Sequence, residues 1–284
     1  MTVEPLPERV GLTEAANILA VHYMTVYRYV RTGKLAARRE SARWSVAVDD
    51  LKRLQSPRPG RTNGSSQPQR RNQMAKRMII GDDAGAWHVV EAALTSGRTP
   101  SEVYAEIIAP CLRLIGDQWE SGKISVAEEH RSSVVALRII GRLGPRFARR
   151  GKSQGTVVLG AVAGEWHAFP GLMLADVLRA RGFEPMDLGA NTPATSFVEA
   201  AQCADRLIAV LVGATTSESD DALKEVISAL RSAGVSAPIL AGGRAIRDEM
   251  HALALGVDAW SGHDASTALA AVELAYAMRH NKLE

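Results

Sequence analysis

The sequence predicts a multidomain α and α/β chain: a small basic helical unit with a wing, then a helical bundle, then a five-stranded parallel sheet covered on both faces. Three observations carry this expectation. The first 75 residues hold 13 Lys and Arg against 6 Asp and Glu, a balance of +7, which leaves the remainder at −4. Apolar residues between Lys76 and Arg150 recur at helical spacing. From Thr156 onward, short apolar runs alternate with helical periods, the pattern of successive βα units.

Composition bounds the reading. With 284 residues, 46% hydrophobic and 23% charged, the chain can bury sizeable cores, which excludes wholesale disorder. No apolar run is long enough to cross a bilayer, and MTVEPLPERV lacks the apolar stretch of a secretory signal, so a cytoplasmic protein without membrane association is expected. Cys111 and Cys203 stand far apart and form neither a disulfide framework nor a zinc spacing.

The first unit spans residues 8–55. Residues 11–35, GLTEAANILAVHYMTVYRYVRTGKL, read as a helix from Thr13 to Leu19, a turn, and a second helix from Met24 to Thr32. Leu12, Ala15, Ala16, Val26 and Val30 pack the two together, and the outward face of the second carries Tyr23, Thr25, Tyr27, Arg28 and Arg31. Hydroxyl and guanidinium donors on one helix suit phosphates and base edges of double-stranded DNA. Next, LAARRESARWSVAVDDLKRL reads as a two-stranded wing with Arg38, Arg39 and Arg43 near its tip and Trp44 returning to the core, then a short helix. The stretch resembles the winged helix-turn-helix of MerR-type regulators, which implies DNA binding. One such module neutralises few phosphates and gives only salt-sensitive affinity, so useful specificity requires two or more copies on adjacent half-sites and hence a homo-oligomer.

Residues 56–75 are rich in Pro, Gly, Ser and Gln and read as a flexible linker. In the bundle, residues 76–150, Thr99-Pro100-Ser101-Glu102 combines a capping box with Pro at the first helical position, and Ser125-Val126-Ala127-Glu128 offers a second box. Val103, Ile107, Ile108, Leu112 and Ile115 form one packed helical face.

Residues 151–284 carry five buried-strand signals, TVVLGAVA, MDLGA, LIAVLVGAT, PILAGG and AWSG, each followed by a helical period. A flavodoxin-like sheet follows, with ligands expected beyond the carboxyl ends of its strands. The loop after the first strand reads Gly164-Glu165-Trp166-His167-Ala168-Phe169-Pro170-Gly171. An imidazole there, two residues after a carboxylate, can ligate a metal while the carboxylate orients it.

Here the chain resembles the cobalamin-binding fold of corrinoid proteins, which place a lower-axial histidine in Asp-x-His-x-x-Gly after strand one, Ser-x-Leu or Ser-x-Thr after strand three, and Gly-Gly after strand four. The counterparts are Glu165-Trp166-His167, Gly213-Ala214-Thr215 and Gly242-Gly243. Glu165 replaces the aspartate, the glycine comes one residue late at Gly171, and Gly213 stands in place of serine. The resemblance implies that His167 binds the cobalt of cobalamin from below, while Glu165, Thr215, Gly242 and Gly243 shape the site.

The bundle adds Trp119, followed after nine residues by Glu129-His130. This matches the Trp-x9-Glu-His signature of CarH/LitR-type B12-dependent photoreceptors. The resemblance implies that Trp119, Glu129 and His130 lie over the upper face of adenosylcobalamin. It further implies a light-responsive transcriptional repressor, tetrameric in the dark, and no enzymatic activity. Some members have a histidine directly after the tryptophan; here that residue is Glu120. A light-independent cobalamin sensor and a corrinoid carrier are the competing readings. His251 and His263 are expected at the surface and outside the site.

Overall fold

The computed structural model describes residues 9–19, 26, 27, 29, 30, 35–40, 43–55 and 67–280. The chain divides into two compact units, Met1–Ser65 and Ser66–Glu284.

In the first unit, β1 (Arg9–Gly11) leads into α1 (Leu12–Leu19); helical residues follow at 26, 27, 29 and 30, then β2 (Ala37–Glu40), β3 (Arg43–Ala47) and α2 (Val48–Gln55). The three strands form an antiparallel sheet ordered β1-β3-β2. The expected wing is β2–β3, with Arg39 opposite Trp44. The added strand β1 has three residues, too few for a period-2 signal. Leu12, Ala15, Ala16, Val26, Val46 and Leu51 are buried as one core. Tyr27, expected on the outward face, is half-buried and packs against that core. A unit this small has little apolar surface to bury and draws on partly polar rings to complete its interior.

The second unit opens with four helical segments. These are α3 (Gln67–Ile80), α4 (Asp83–Thr95), a third helix made of α5 (Pro100–Val103) and α6 (Ala109–Glu120), and α7 (Val126–Leu143). The linker expected over 56–75 is therefore corrected: residues 67–75 are helical. Their buried face is Arg70, Met74, Ala75 and Met78, a narrow stripe, so the intervening Gln, Arg, Asn and Lys side chains disguise a packed helix as a polar tract. Residues 56–66 lie outside the described residues. Both capping boxes form as the sequence predicts, with Thr99 and Glu102, and Ser125 and Glu128, in reciprocal hydrogen bonds.

A π-helical turn, Tyr104–Ile108, joins α5 to α6. Pro110 has no N–H to return to the carbonyl four residues back and its ring crowds that carbonyl, so the ladder widens just before it; Ala109 N–H reaches Tyr104 O.

A short 3₁₀ turn, Gly144–Phe147, leads to the sheet. In chain order come β4 (Thr156–Ala161), α8 (Phe169–Arg181), β5 (Glu184–Asp187), α9 (Ala194–Cys203), β6 (Leu207–Gly213), α10 (Asp220–Ser232), β7 (Ile239–Gly242), α11 (Glu249–Ala254), β8 (Ala259–Trp260) and α12 (Ala265–His280). All five strands are parallel in the order β5-β4-β6-β7-β8, the flavodoxin-like arrangement. Strand order reverses at β4, so the β4 and β6 loops flank the switch point. Separate apolar cores fill the two faces of the sheet. The bundle core incorporates Met173 and Val177 of α8, which joins bundle and sheet through one layer of side chains. Among the described residues, no helix is long and apolar enough to cross a membrane.

Candidate ligand site and nucleic-acid interface

The site is organised around one buried carboxylate at the switch point. Glu165 is 1% exposed, and its two oxygens serve different loops. Oε1 accepts the His167 N–H at 2.9 Å and lies 2.5 Å from His167 Nδ1. Oε2 accepts Thr215 N–H at 2.5 Å, Thr216 N–H at 2.9 Å and Thr216 Oγ1–H at 3.0 Å. The loop after β5 joins the same cluster, with Asn191 N–H on Glu165 O and Gly164 N–H on Asn191 Oδ1. Three βα loops are thus fastened at one residue.

Burial alone would raise the Glu165 pKa, but the hydrogen bonds from the His167 ring and N–H and from Thr215 and Thr216 outweigh it and hold the carboxyl well below the usual range. The same hydrogen bond to Glu165 raises the His167 pKa, opposed by burial. With Nδ1 committed, His167 Nε2 has no hydrogen-bond partner among the described residues, and 61% of the side chain is exposed. A carboxylate that fixes the tautomer and direction of an imidazole leaves the far nitrogen ready as a metal ligand.

Around this pair the glycines set close approaches. A Cβ on Gly242 would overlap Ser261 and Gly262, and one on Gly243, whose φ is +107°, would overlap the backbone of Ala214. A Cβ on Gly213 would meet nothing closer than Gly160 O at 3.5 Å, so serine fits there as well. The displaced glycine also has a reason. Pro170 occupies the first turn of α8, where proline is favoured, and a Cβ at Gly171 would make ordinary contact with Asp187.

On the bundle, Trp119 lies in the last turn of α6 and is 49% exposed, so it is not a core residue. Glu129 and His130 lie in the first two turns of α7. Glu129 accepts Ser133 Oγ–H at 2.8 Å and is 2.9 Å from His130 Nδ1, and it is among the charges that raise the His167 pKa. Three residues that the sequence did not single out belong to this edge: Thr216, Asn191 and Arg244, the last also acting on His167 electrostatically. Their contacts are long-range, so spacing could not disclose them. His263 is exposed as expected, with Nδ1 at 3.1 Å from Gly243 O. His251 is corrected: its side chain is 8% exposed, because its Nε2 pairs with Asp220 at 3.1 Å.

In the basic unit, Arg38 and Arg39 are exposed on β2, and the Arg39 guanidinium lies 5.9 Å from the Trp44 ring centroid. Thr25, Arg28 and Arg31 lie outside the described residues, as does the side chain of Arg43.

Comparison with known proteins now assigns these parts. Residues 10–58 match a helix-turn-helix domain, residues 70–143 match the B12 binding domain family B12-binding_2, and residues 155–273 match the B12 binding domain family B12-binding. The chain carries B12 binding domains behind a helix-turn-helix domain. Trimethylamine corrinoid protein 1 of Methanosarcina acetivorans is 29% identical over 130 residues, covering 43% of this chain and 57% of that protein. The chain thus matches little more than half the length of that relative. A corrinoid protein of Desulfitobacterium hafniense is 28% identical over 212 residues, covering 72% of this chain and 94% of its own. The structure of the Methanosarcina barkeri monomethylamine corrinoid protein shares the fold at a TM-score of 0.62, with 20% identity over 74% of this chain and all of that one.

The B12 binding domains hold residues that fit a cobalamin. His167 presents a nitrogen donor with its ring locked from behind, and Gly242 and Gly243 keep side chains out of the adjoining strand ends. The Trp260 indole N–H on β8, paired in register with Ala241 of β7, is buried without an acceptor.

Proposed function

We propose that the protein is a light-responsive, adenosylcobalamin-dependent transcriptional regulator, a repressor that holds double-stranded operator DNA as a dark tetramer in the cytoplasm. The observation that carries this reading is the Glu165–His167 pair. It presents an oriented imidazole, with Glu129 of the bundle among the charges that act on it, in a chain whose other unit is a helix-turn-helix domain.

His167 Nε2 would hold the cobalt from below while Glu165 keeps its ring fixed. Trp119, Glu129 and His130 would enclose the upper side. Thr215, Gly242 and Gly243 would leave room for the nucleotide tail. Bound adenosylcobalamin supplies a weak cobalt–carbon bond that light can cleave. The protein's part is to fill or vacate the space beneath Trp119, and the difference in contact between the two states is what a switch requires. Bundle and sheet share a core through α8, so a shift on the α6–α7 side reaches the rest of the unit. Since Glu120 follows Trp119, a second histidine ligand from that position is excluded, and the lit state differs from that of members with a histidine there.

The names of the relatives favour a second reading, a corrinoid carrier for group transfer. A carrier has no use for a basic helix-turn-helix domain, which weighs for regulation. The deciding experiment loads the purified chain with adenosylcobalamin in the dark, then records absorbance, hydrodynamic size and operator binding before and after illumination. A light-dependent change in all three is expected. Cofactor binding with no light-dependent change in size or DNA affinity overturns the photoreceptor reading in favour of a light-independent sensor. Turnover with a methyl donor establishes the carrier.

A further inference from the structure

The loop after β7 holds a cation to which the preceding reading gives no role. Gly243 N–H donates to Gly262 O at 3.0 Å, Ala245 N–H to Ala214 O at 3.2 Å, and Ile246 N–H to Gly243 O at 3.2 Å. Ile246 is fully buried. Arg244 is therefore fixed on both sides, through backbone bonds to the loops after β6 and β8, at the same strand ends that the glycines keep clear. Its side chain is exposed and makes no hydrogen bond or ion pair with any described residue. Elsewhere in the α/β part, Arg179, Arg181 and Arg231 are paired with Asp176, Glu273 and Asp258. The loop after β6 that Ala245 N–H reaches at Ala214 continues into Thr215, whose N–H binds Glu165 Oε2, so the Arg244 backbone stands beside the Glu165–His167 pair.

An unpaired guanidinium on a rigid loop beside a ligand site is a receptor for an oxyanion, through charge-assisted hydrogen bonds from its planar fork. The amide side chains of a cobalamin are neutral, and its peripheral anion is the phosphodiester of the nucleotide loop. We infer that Arg244 binds that phosphodiester, and so selects complete cobalamins over cobinamides, which lack the nucleotide and its phosphate. The inference rests on the cobalamin reading above. It adds a selection step: His167 recognises cobalt in either ligand, whereas Arg244 recognises only the form that carries the anion.

The test is a dark absorbance titration of the full chain with adenosylcobalamin and with adenosylcobinamide, for the wild type, Arg244→Gln, Arg244→Lys and, as a control on the same loop, Arg247→Gln. Arg244→Gln is expected to weaken adenosylcobalamin binding about tenfold, as the loss of one charge-assisted contact does, and to leave adenosylcobinamide unchanged. Arg244→Lys should recover part of the loss, and Arg247→Gln should change neither ligand. High salt should narrow the wild-type preference and leave that of Arg244→Gln unaltered. Equal weakening of both ligands, or none of either, overturns the role of Arg244 while leaving the cobalamin site standing. Failure of the wild type to bind either corrinoid overturns the site itself and this inference with it.

Discussion

The Tyr104 hydroxyl donates a 2.6 Å hydrogen bond to Asp176 Oδ2, tying the first residue of the π-helical turn in the bundle to the helix that follows the Glu165–His167 loop. Both residues are buried. The Tyr104 ring also stacks on Phe147 with centroids 4.9 Å apart, while Asp176 Oδ1 accepts from Arg179 at 2.5 Å. Burial, and then the carboxylate itself, raises the Tyr104 pKa, so the phenol remains a donor through the neutral range. Tyr104→Phe keeps the stack and removes the donor. The expected cost is about 1–3 kcal/mol in urea unfolding, the price of a buried acceptor left short of a partner. An unchanged midpoint would show that the joint between bundle and α8 is held by apolar packing alone.

Glu165→Gln tests whether the carboxylate orients the histidine. The amide keeps the shape but can accept at one end only, so its NH2 faces either the His167 donors or those of Thr215 and Thr216, and the charge that favours a directed Nδ1–H is gone. Cobalamin affinity is expected to fall about 10–100-fold, as is typical when the group behind a metal-binding histidine is lost. Absorbance titration reads this directly. Full retention of affinity would separate His167 from the metal.

Acid should loosen the bundle through its helix starts. Backbone hydrogen bonds, from Gly85 to Asp82, from Thr99 to Glu102 and from Ser125 to Glu128, lead the causes that depress all three carboxyl pKa values. Their stabilisation is complete above the ordinary carboxyl range near pH 4, and it is lost as pH falls through the depressed values. Asp187 runs the other way: burial raises its pKa, so its protonation favours the folded chain in acid and offsets part of the loss. Glu102→Gln with Glu128→Gln retains both capping boxes, because glutamine serves in them. Urea midpoints of this double variant should fall less between pH 5 and about pH 3 than those of the wild type. Parallel curves would rule the boxes out as the acid-sensitive elements.

What was legible in the sequence was local. TVVLGAVA and LIAVLVGAT announce buried parallel strands because both faces of such strands are covered, and Thr99-Pro100-Ser101-Glu102 names a helix start within four residues. Elements whose signal is thin were missed. The helix from Gln67 buries four of its 14 residues, and β1 is three residues long. Glu165 and His167, singled out from the sequence two residues apart, do pair through their side chains at 2.5 Å. Thr216 is 51 residues from Glu165, and no spacing rule connects them. Loops at the switch point converge only after the sheet has formed.

The two glycines at the strand ends should differ sharply in tolerance. Gly243 has φ +107° and no room for a Cβ beside Ala214, so Gly243→Ala should destabilise the chain by at least about 2 kcal/mol, from backbone strain together with overpacking. At Gly213 the nearest atom to an added Cβ is 3.5 Å away, so Gly213→Ser should change stability by less than about 1 kcal/mol. Thermal or urea unfolding of the two variants side by side measures the contrast, and equal losses would contradict the described geometry of the β6–β7 edge.

The wing offers the cleanest electrostatic test of the DNA-binding unit. Arg38 and Arg39 are both exposed on β2, but the Arg39 guanidinium also sits over the Trp44 ring. If each contacts a phosphate, either alanine variant should lower the slope of log affinity against log salt by about 1, with little dependence on DNA sequence. Arg39→Ala should in addition lose the stacking contact and lower the unfolding free energy by about 0.5–1 kcal/mol, whereas Arg38→Ala should not. Salt titrations of DNA binding and denaturant unfolding on the same two variants separate the roles. An unchanged salt slope for both would remove the wing from the interface and leave recognition to the second helix of the unit.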